Sequence, residues 1–600
     1  MRWQNLMGSA MGMAFDEENK EGAISRIVFD SWYPGYVTQV NDAHNVISIL
    51  TETALYRYAT PHFYTVRDFP ESYQDFTIAA FYPNPWKGGW WRISDAVEYC
   101  LTASKAVLAT AARYKEKLLL DRYRMGRDAI KKFKKEPPFG WIVPEEQTDP
   151  SAAQSMLGIL AEQAIEIYRA KTSFVQDGVT YPAGTFIIPT SQAFGYFAKN
   201  MLEVQKYPDL RKYPELWQGL IRMEKFKGAP FRSYDIAGWT LPLQMNVKAV
   251  RANSPLSVEM ERVKKIEALP GKVSGNGGYG YLLDARQNLS YKAVNQILKK
   301  GGVIYRNTKS FANFPAGMFI LQNSKVVKNM VNDLAKKLHL QIKNIKKKPT
   351  VPLVQVKKPR IGLYKSWVAN IDEGWTRWLF EQYEFDFKNI HDAEIKAGNL
   401  NQRFDVIIIP SQWKKAIING HKLGTMPPEY VGGMGYDGVE NLKIFVENGG
   451  TIVGTNSSCD FLIDSFQLPV SNLLKDVKGD RFVCTGSILR LEFDPENPIA
   501  YGMEKMQPAV FNRSPVFKLH PSFKDKQVSK IVAKYPRRKL LMSGFIHGEK
   551  MLQGNVAVAD VPLKKGHCIL LGFAVKNRAQ AHGTFKMLFN SVYFSTTKSK

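Results

Sequence analysis

One carboxylate in this sequence stands where acid–base chemistry is often done. Residues 46–50 (VISIL) are apolar and partly β-branched, so they predict a short buried strand, and Glu52 follows it. Open α/β sheets place their sites at the carboxyl ends of strands. A carboxyl group there is partly desolvated, which suits a general base. A solvated or salt-bridged surface Glu is the other interpretation.

A second candidate for catalysis is a cysteine. Cys459 follows the apolar strand TIVGT, and His547 and Glu549 come later in a His-x-Glu pattern. This arrangement resembles the nucleophile of class I glutamine amidotransferases. The turn here reads NSSCD, without the small glycines of a tight elbow, and no basic residue flanks the thiol to lower its pKa. A Cys459-dependent amidotransferase-like hydrolase is therefore one alternative, and a buried cysteine is the other.

Metal-ligand patterns are weak in this chain. His391 and Glu394 have the His-x-x-Glu spacing of zinc sites, but no third ligand stands in a matching context. With nine histidines in the chain, such a match arises by chance. The four cysteines have neither paired nor metal spacing, so we expect most of them to be small buried residues. We predict no metal ligands here.

Several longer stretches carry a family resemblance. They read SWYPGY followed by HNVISILTET, then GGWWRISDAVEYCLTAS, SYDIAGWTLPLQM, SWVANIDEGWTRWLFEQY and RAQAHGTFKMLFN. Together they are similar to zinc carboxypeptidases, and more closely to the large multidomain, carboxypeptidase A-like peptidases of bacteria. The resemblance covers nearly the whole chain.

The resemblance implies a function and two site residues. It implies a zinc-dependent metallocarboxypeptidase-like peptide hydrolase, with Glu52 as the general base for a zinc-bound water. It also implies a mobile Tyr that closes over the substrate carboxylate, and both Tyr33 and Tyr36 lie in the matching region. We prefer Tyr36 because Pro34 and Gly35 favour a turn that could present it. Packing within the core is the other interpretation of Tyr36.

One departure from the family matters. The family's zinc ligands and its substrate-binding Arg lie before the segment that matches Glu52, where this chain has only His44, Arg2 and Arg26, all without matching context. We therefore expect this chain to be the carboxyl-terminal part of a longer protein, inactive alone, with zinc held elsewhere. The resemblance implies a peptide or peptide-like substrate and a periplasmic or secreted protein, although no signal peptide is recognisable. An inactive accessory, or a peptide- or carbohydrate-binding module, is the alternative from another functional class.

Composition bounds the remaining possibilities. The chain has 600 residues, of which 44% are hydrophobic and 23% charged, as in globular proteins of two to four domains. No apolar run approaches the roughly 20 residues that span a bilayer, so we predict no membrane span. The net charge of +27 is spread along the chain. Because no nucleic-acid-binding module accompanies it, we predict no nucleic-acid partner.

The predicted fold class is α/β, in four segments. Residues 1–135 are the carboxyl-terminal piece of a carboxypeptidase-like α/β/α domain, and 139–342 are a duplicated α/β region. Residues 343–358 are a basic, proline-containing linker. Residues 359–600 resemble the class I glutamine amidotransferase-like, flavodoxin-like fold. Their strands RIGLY and FDVIIIP flank an amphipathic helix, and TIVGT follows a second one.

The duplication is visible in the sequence. One copy runs GWIVP, ILAEQAIEIYR and YPAGTFII, and the other runs GYLLD, ILKKGGVIYR and FPAGMFIL. Each copy predicts a strand, a helix, a second strand, a turn and a third strand. This order favours parallel sheets covered by helices.

Overall fold

A computed structural model describes residues 1–25, 31–80, 82–212, 233–275, 278–521 and 528–597. The protein is a mixed α/β structure with several separate sheets. The described α-helices are α1 (Arg2–Glu17), α2 (Val37–Ala43), α3 (Ile93–Arg113), α4 (Lys115–Phe133), α5 (Pro150–Glu162), α6 (Gly195–Leu202), α7 (Leu241–Met245), α8 (Asn288–Lys299), α9 (Lys325–Lys337), α10 (Ile371–Gln382), α11 (Asp392–Lys396), α12 (Leu400–Arg403), α13 (Lys414–Asn419), α14 (Gly435–Glu447), α15 (Ser458–Phe466) and α16 (Phe585–Thr597). Within these ranges no helix is long and apolar enough to cross a membrane.

The strands are short in the first half and longer in the second. They are β1 (His62–Tyr64), β2 (Gly89–Trp91), β3 (Gly140–Val143), β4 (Tyr168–Ala170), β5 (Phe174–Gln176), β6 (Val179–Tyr181), β7 (Phe186–Pro189), β8 (Val250–Ala252), β9 (Met260–Arg262), β10 (Lys272–Ser274), β11 (Gly280–Leu283), β12 (Ile304–Asn307), β13 (Phe319–Gln322), β14 (Gln341–Ile345), β15 (Leu353–Val356), β16 (Ile361–Tyr364), β17 (Phe387–Ile390), β18 (Val406–Ile409), β19 (Thr451–Thr455), β20 (Val470–Asn472), β21 (Ser487–Phe493), β22 (Met506–Phe511), β23 (Phe517–Leu519), β24 (Lys530–Lys534), β25 (Leu541–Ser543), β26 (Val556–Leu563) and β27 (Gly566–Leu571).

The first unit, residues 1–134, is helical with little sheet. Helix α1 packs along α3, and the described sheet of this unit is the antiparallel pair β1 and β2. The strand predicted over residues 46–50 is wrong: these residues have no regular secondary structure, and Val46 and Leu50 are 36% and 41% exposed. A strand needs a neighbour to pair with its backbone, and none of the described strands pairs with this run.

The duplicated region shows the same pairing twice. In each copy the third strand lies between the first two and is antiparallel to both, giving β3-β7-β4 and β11-β13-β12. The registers also agree, since Gly140 faces Pro189 and Gly280 faces Gln322. Flanking strands extend both copies in the same antiparallel sense, β8 and β9 around the first and β14 and β15 around the second. The repeat therefore extends to five strands.

Two sequence predictions about this region are wrong. We expected parallel sheets, but the return strand after the turn inserts between the two strands joined by the helix, so their direct neighbours are antiparallel. We expected a linker over residues 343–358, but this stretch contains part of β14 and all of β15. Lys343 faces outward from β14, whereas Lys346, Lys347 and Lys348 are exposed in the connection between the two strands.

The carboxyl-terminal half is built on one large sheet. Five parallel strands lie in the order β17-β16-β18-β19-β27, and antiparallel strands β26, β24, β21 and β22 continue it. Counted along the chain, the parallel order is 2-1-3-4-5, which reverses between β16 and β18. The predicted parallel strands 361–364 and 406–409 are confirmed. Their residues are buried on both faces because helices cover both sides.

The second copy and this large sheet share one hydrophobic core. That core runs from Tyr281 in β11 to Tyr593 in α16, whereas the first copy has a separate core around Trp141 and Met156. Helix α16 contacts both α8 and β15, so it packs directly on the second copy. The second copy is therefore structurally part of the carboxyl-terminal half.

Candidate functional site

Glu52 lies on the surface of the first unit. It is exposed in an irregular segment and makes no hydrogen bond or ion pair with any described residue. Its neighbours tie the segment down: Thr53 Oγ1 lies 3.2 Å from Cys100 Sγ, and Trp91 Nε1 donates to the Ala54 carbonyl at 2.6 Å. The catalytic role of Glu52 stays a prediction.

Tyr36 caps the start of α2 and lies against other aromatic rings. Its ring centroid is 5.4 Å from that of Tyr33 and 6.0 Å from that of Tyr234, both edge-on. Tyr33 is buried, 7% exposed, whereas Tyr36 is only partly buried. Of the two tyrosines that the sequence left open, Tyr36 is the more accessible.

Cys459 does not have the surroundings of a nucleophile. It lies in the first turn of α15, fully buried, and its thiol donates to the Gly454 carbonyl at 3.4 Å. Burial raises the pKa of this thiol well above its usual value. His547 instead pairs with the Asp480 carbonyl at 2.9 Å. The position just after β19, where an elbow would present a side chain, belongs to Asn456, whose φ is +48°.

The His391 and Glu394 pair is a helix cap. Glu394 accepts from the His391 backbone N–H at 3.1 Å, which closes a capping box at the start of α11. Its other oxygen accepts from Arg403 at 2.6 Å. In the part of the chain that the structure describes, no group of three or more His, Cys, Asp or Glu is placed to hold a metal ion.

A polar cluster occupies the carboxyl edge of the parallel sheet, where its strand order reverses. Asp372, in the first turn of α10, accepts from the Ser411 backbone N–H and from Lys576 Nζ, each at 2.7 Å. Thr455 Oγ1 donates to the same oxygen at 3.3 Å, and Ser411 Oγ lies 2.9 Å from Ser457 Oγ. Lys576 is 1% exposed, so this is a nearly buried ion pair. Parallel strands bring these residues together because their loops open on one edge.

Buried polar atoms at this edge have no partner among the described residues. They are Glu373 Oε1, Gln412 Oε1 and Asn456 Oδ1, and the first two side chains belong to residues only 6% and 7% exposed. Unpaired buried acceptors are costly unless a water or a ligand supplies a donor. The backbone beyond Lys576 is strained as well, since Asn577, Arg578 and Ala579 all have positive φ.

Aromatic side chains rim the same edge. Trp367 follows β16 and is 37% exposed, and Trp413 follows β18 and is 72% exposed. Trp367 is held by stacking on His391, with ring centroids 4.2 Å apart, and by Tyr430 at 4.8 Å. Flat rings beside hydrogen-bonding groups suit a ligand with both apolar faces and hydroxyl groups.

This edge cluster is suited to binding more than to catalysis. Asp372 already neutralises Lys576, and the hydroxyl of Ser411 is hydrogen-bonded to another hydroxyl instead of a base. The sequence analysis missed the cluster because its members come from separate loops. The available signal was limited to the polar residues Ser411 and Asn456, which directly follow the apolar runs FDVIIIP and TIVGT.

Comparison with solved structures gives distant structural neighbours. No family model matches the chain, and no curated protein matches it. A ThuA-like protein from Bacteroides uniformis is 14% identical with a TM-score of 0.24, covering 41% of this chain and 94% of that one. A cold-adapted β-galactosidase from Rahnella sp. R3 is 13% identical with a TM-score of 0.24, covering 39% and 31%. An exo-β-1,4-mannosidase from an Opitutaceae bacterium is 10% identical with a TM-score of 0.24, covering 40% and 37%.

Proposed function

We propose that this chain is part of a peptide hydrolase of the zinc carboxypeptidase type, with Glu52 as general base and Tyr36 as substrate contact. The proposal rests on the resemblance of the six stretches quoted above. Some of them meet in space: the Trp32 ring lies 5.7 Å from that of Trp239, and Gln580 donates to the Tyr33 hydroxyl at 3.4 Å. A localisation outside the cytoplasm and a peptide-like substrate belong to the same proposal.

The structural observation that supports this proposal is an uncovered apolar surface on α3 and on the Glu52 segment, which meet where Thr53 contacts Cys100. Helix α3 buries Ala96 and Ala103 against its neighbours, but its other face leaves a stripe of large apolar side chains in solvent. The stripe consists of Ile93 at 56%, Val97 at 58%, Leu101 at 43% and Leu108 at 69% exposure. Leu50 and Leu55, on either side of Glu52, are 41% and 56% exposed. A continuous apolar helix face normally packs against another element, so this unit has the surface of part of a domain.

The described residues of this chain do not themselves form a zinc site. On α3, Asp95 accepts a hydrogen bond from the Arg92 backbone N–H at the start of the helix, and Glu98 forms an ion pair with Lys20. His44 is hydrogen-bonded on both ring nitrogens to backbone carbonyls of Val40 and Gln163. Zinc ligands for the proposed hydrolase would therefore have to come from outside the described residues.

The test compares this chain with a longer protein in which a preceding segment that supplies zinc ligands is joined to it. Only the longer protein should release carboxyl-terminal residues from peptides. Glu52→Gln should lower that rate at least 10²-fold, because the amide keeps the shape but cannot take a proton. Glu98→Gln, on the neighbouring helix, is the matched control and should keep full activity. A fully active Glu52→Gln variant would show that another residue is the base.

A second function, from the binding class, is favoured by the edge cluster of Asp372 and Lys576. We infer that the carboxyl-terminal half binds a carbohydrate, with Trp367 and Trp413 stacking on sugar faces and the unpaired oxygens of Glu373 and Gln412 accepting hydrogen bonds from sugar hydroxyl groups. Binding of soluble polysaccharides should fall at least tenfold in Trp413→Ala. The variant loses the packing of a sugar face on the indole ring, and a loss of about 1.4 kcal/mol corresponds to tenfold. The control is Trp378→Ala on α10, also exposed. Equal binding by both variants would refute the site.

A further inference from the structure

The duplicated region contains one arginine at the same place in both copies. Arg169 in β4 pairs with Phe186 in β7, and Arg306 in β12 pairs with Phe319 in β13. Each guanidinium lies over the ring of its cross-strand Phe, at 4.6 Å in the first copy and 4.1 Å in the second. In both, the Nε is buried without a partner among the described residues. Both copies therefore contain the same arrangement of an arginine stacked on its cross-strand phenylalanine, which we call the arginine platform.

The second platform is filled by the protein itself. Arg306 is 4% exposed, and its two terminal nitrogens donate to Asn590 Oδ1 at 2.8 Å and to the Tyr291 hydroxyl at 3.2 Å. Asn590 comes from α16, the helix that packs over this copy. The filled platform shows which chemistry the arrangement binds: an oxygen acceptor presented to the guanidinium above an apolar floor.

The first platform is open. Arg169 lines a shallow cleft that is open to solvent. Gln154 lines it and precedes Arg169 by 15 residues, as Tyr291 precedes Arg306. Among the described residues the ion-pair partner of Arg169 is Glu145, at a loose 3.6 Å and half exposed. Nothing in the described chain takes the place that Asn590 has in the second copy.

We propose that the Arg169 cleft binds a free α-amino acid with an apolar side chain. The ligand carboxylate takes the position of the Asn590 oxygen and forms paired hydrogen bonds with Arg169, an acceptor that guanidinium favours. Its ammonium group faces Glu145 and Glu267, the two carboxylates that line the cleft. Its side chain lies on Phe186 and Leu157, which are buried in the wall.

The charges of the side chains that line the cleft favour a zwitterionic ligand over a simple anion. One arginine next to two carboxylates would repel a ligand that brings only negative charge. A ligand with one charge of each sign, separated by a single carbon, satisfies both ends. This inference does not depend on the peptidase proposal, because it uses only the first copy's residues.

The experiment is calorimetric titration of the full chain with L-leucine, N-acetyl-L-leucine and L-leucinamide. L-leucine should bind, and the two probes that each lack one charge should bind at least tenfold more weakly. Arg169→Gln should weaken leucine binding at least tenfold, and Glu267→Gln, at an exposed position, should weaken it severalfold. Arg262→Gln in the neighbouring strand β9 is the control and should bind as the parent does.

Three outcomes would overturn the proposal. They are the absence of leucine binding at millimolar concentration, equal binding of all three probes, and unchanged binding in Arg169→Gln. If Arg169→Gln does not fold, as judged by circular dichroism, the result with Glu267→Gln and the probe comparison decide, because neither disturbs the stacked arginine.

Discussion

Among single residues, the cysteines show how exposure and pKa together set reactivity. Cys459, Cys484 and Cys568 are buried, as the sequence predicted for most of the four, while Cys100 is exposed on α3. Burial also raises the pKa of Cys484 to about 12, so its thiol is neutral at physiological pH. Reactivity towards thiol reagents should therefore be confined to one position.

A thiol titration tests this directly. In native protein one equivalent of Ellman's reagent should react within minutes, and Cys100→Ser should remove that reaction. In denaturant all four thiols should react. An equivalent that still reacts fast in the native Cys100→Ser variant, and is lost when Cys459→Ser is added, would mean that Cys459 is accessible and would reopen the amidotransferase-like alternative.

The ion pair of the buried Lys576 with the partly exposed Asp372 gives a second residue-scale prediction. Lys576→Met leaves the Asp372 carboxylate without its cation at a site that is 24% exposed, and should lower the free energy of unfolding by about 2 kcal/mol. Adding Asp372→Asn should recover most of the loss, since the amide still accepts from Ser411. Urea denaturation measures both. Lys414→Met, at an exposed pair with Asp464, is the control and should cost under about 0.5 kcal/mol.

Among secondary-structure elements, the sequence predicted which segments are strands better than it predicted which strands pair with each other. The apolar runs at 361–364, 406–409 and 451–455 are strands, as expected for short runs that are rich in apolar or β-branched residues and bounded by turn signals. The order in which strands pair, however, depends on contacts between segments that are distant in the chain. The periodicity of a single segment does not report those contacts. The run at 46–50 shows the opposite failure: it has strand composition but no neighbouring strand. The edge cluster could not be predicted for a related reason, since its loops are far apart in the chain.

The equivalent glycines of the two copies give an element-scale prediction. A Cβ on Gly140 would lie 2.7 Å from the Ile188 carbonyl oxygen, and one on Gly280 would lie 2.3 Å from that of Leu321. The middle strand thus approaches both positions too closely for a side chain. Gly280→Ala should lower the free energy of unfolding by about 1–3 kcal/mol. Gly158→Ala, in α5 with open space around it, should raise it by up to about 1 kcal/mol.

Over the whole molecule, a buried polar junction joins the two copies to the carboxyl-terminal helix. Asp149 accepts from the Asn288 N–H at 2.9 Å, and the Asn288 side chain donates to the His582 carbonyl at 2.9 Å. Lys586 Nζ reaches Asn288 Oδ1 at 3.4 Å. Burial lowers the pKa of His582 from 6.5 to about 4 and also lowers the pKa of Lys586. Burial in the junction therefore favours the neutral forms of the His582 and Lys586 side chains, compared with the same groups in water.

This junction makes stability depend on pH. Between pH 6.5 and about 4 the unfolded chain binds a proton at His582 that the folded chain does not, so stability rises with pH across this window and falls on acidification. The loss by pH 4 should be about 2–3 kcal/mol from this residue. His582→Phe should remove that part of the slope in denaturation curves measured between pH 4 and 7. An unchanged slope would assign the acid sensitivity elsewhere.

The packing of α16 on the second copy also has a consequence for biosynthesis. Arg306 and Tyr291 complete their hydrogen bonds only with Asn590, which is translated almost three hundred residues later. On the ribosome the first copy, with its own core, can fold as soon as it emerges, whereas the second copy must wait for the last helix. Nascent chains stalled before residue 585 should thus protect the first copy from protease and leave the second one cleavable.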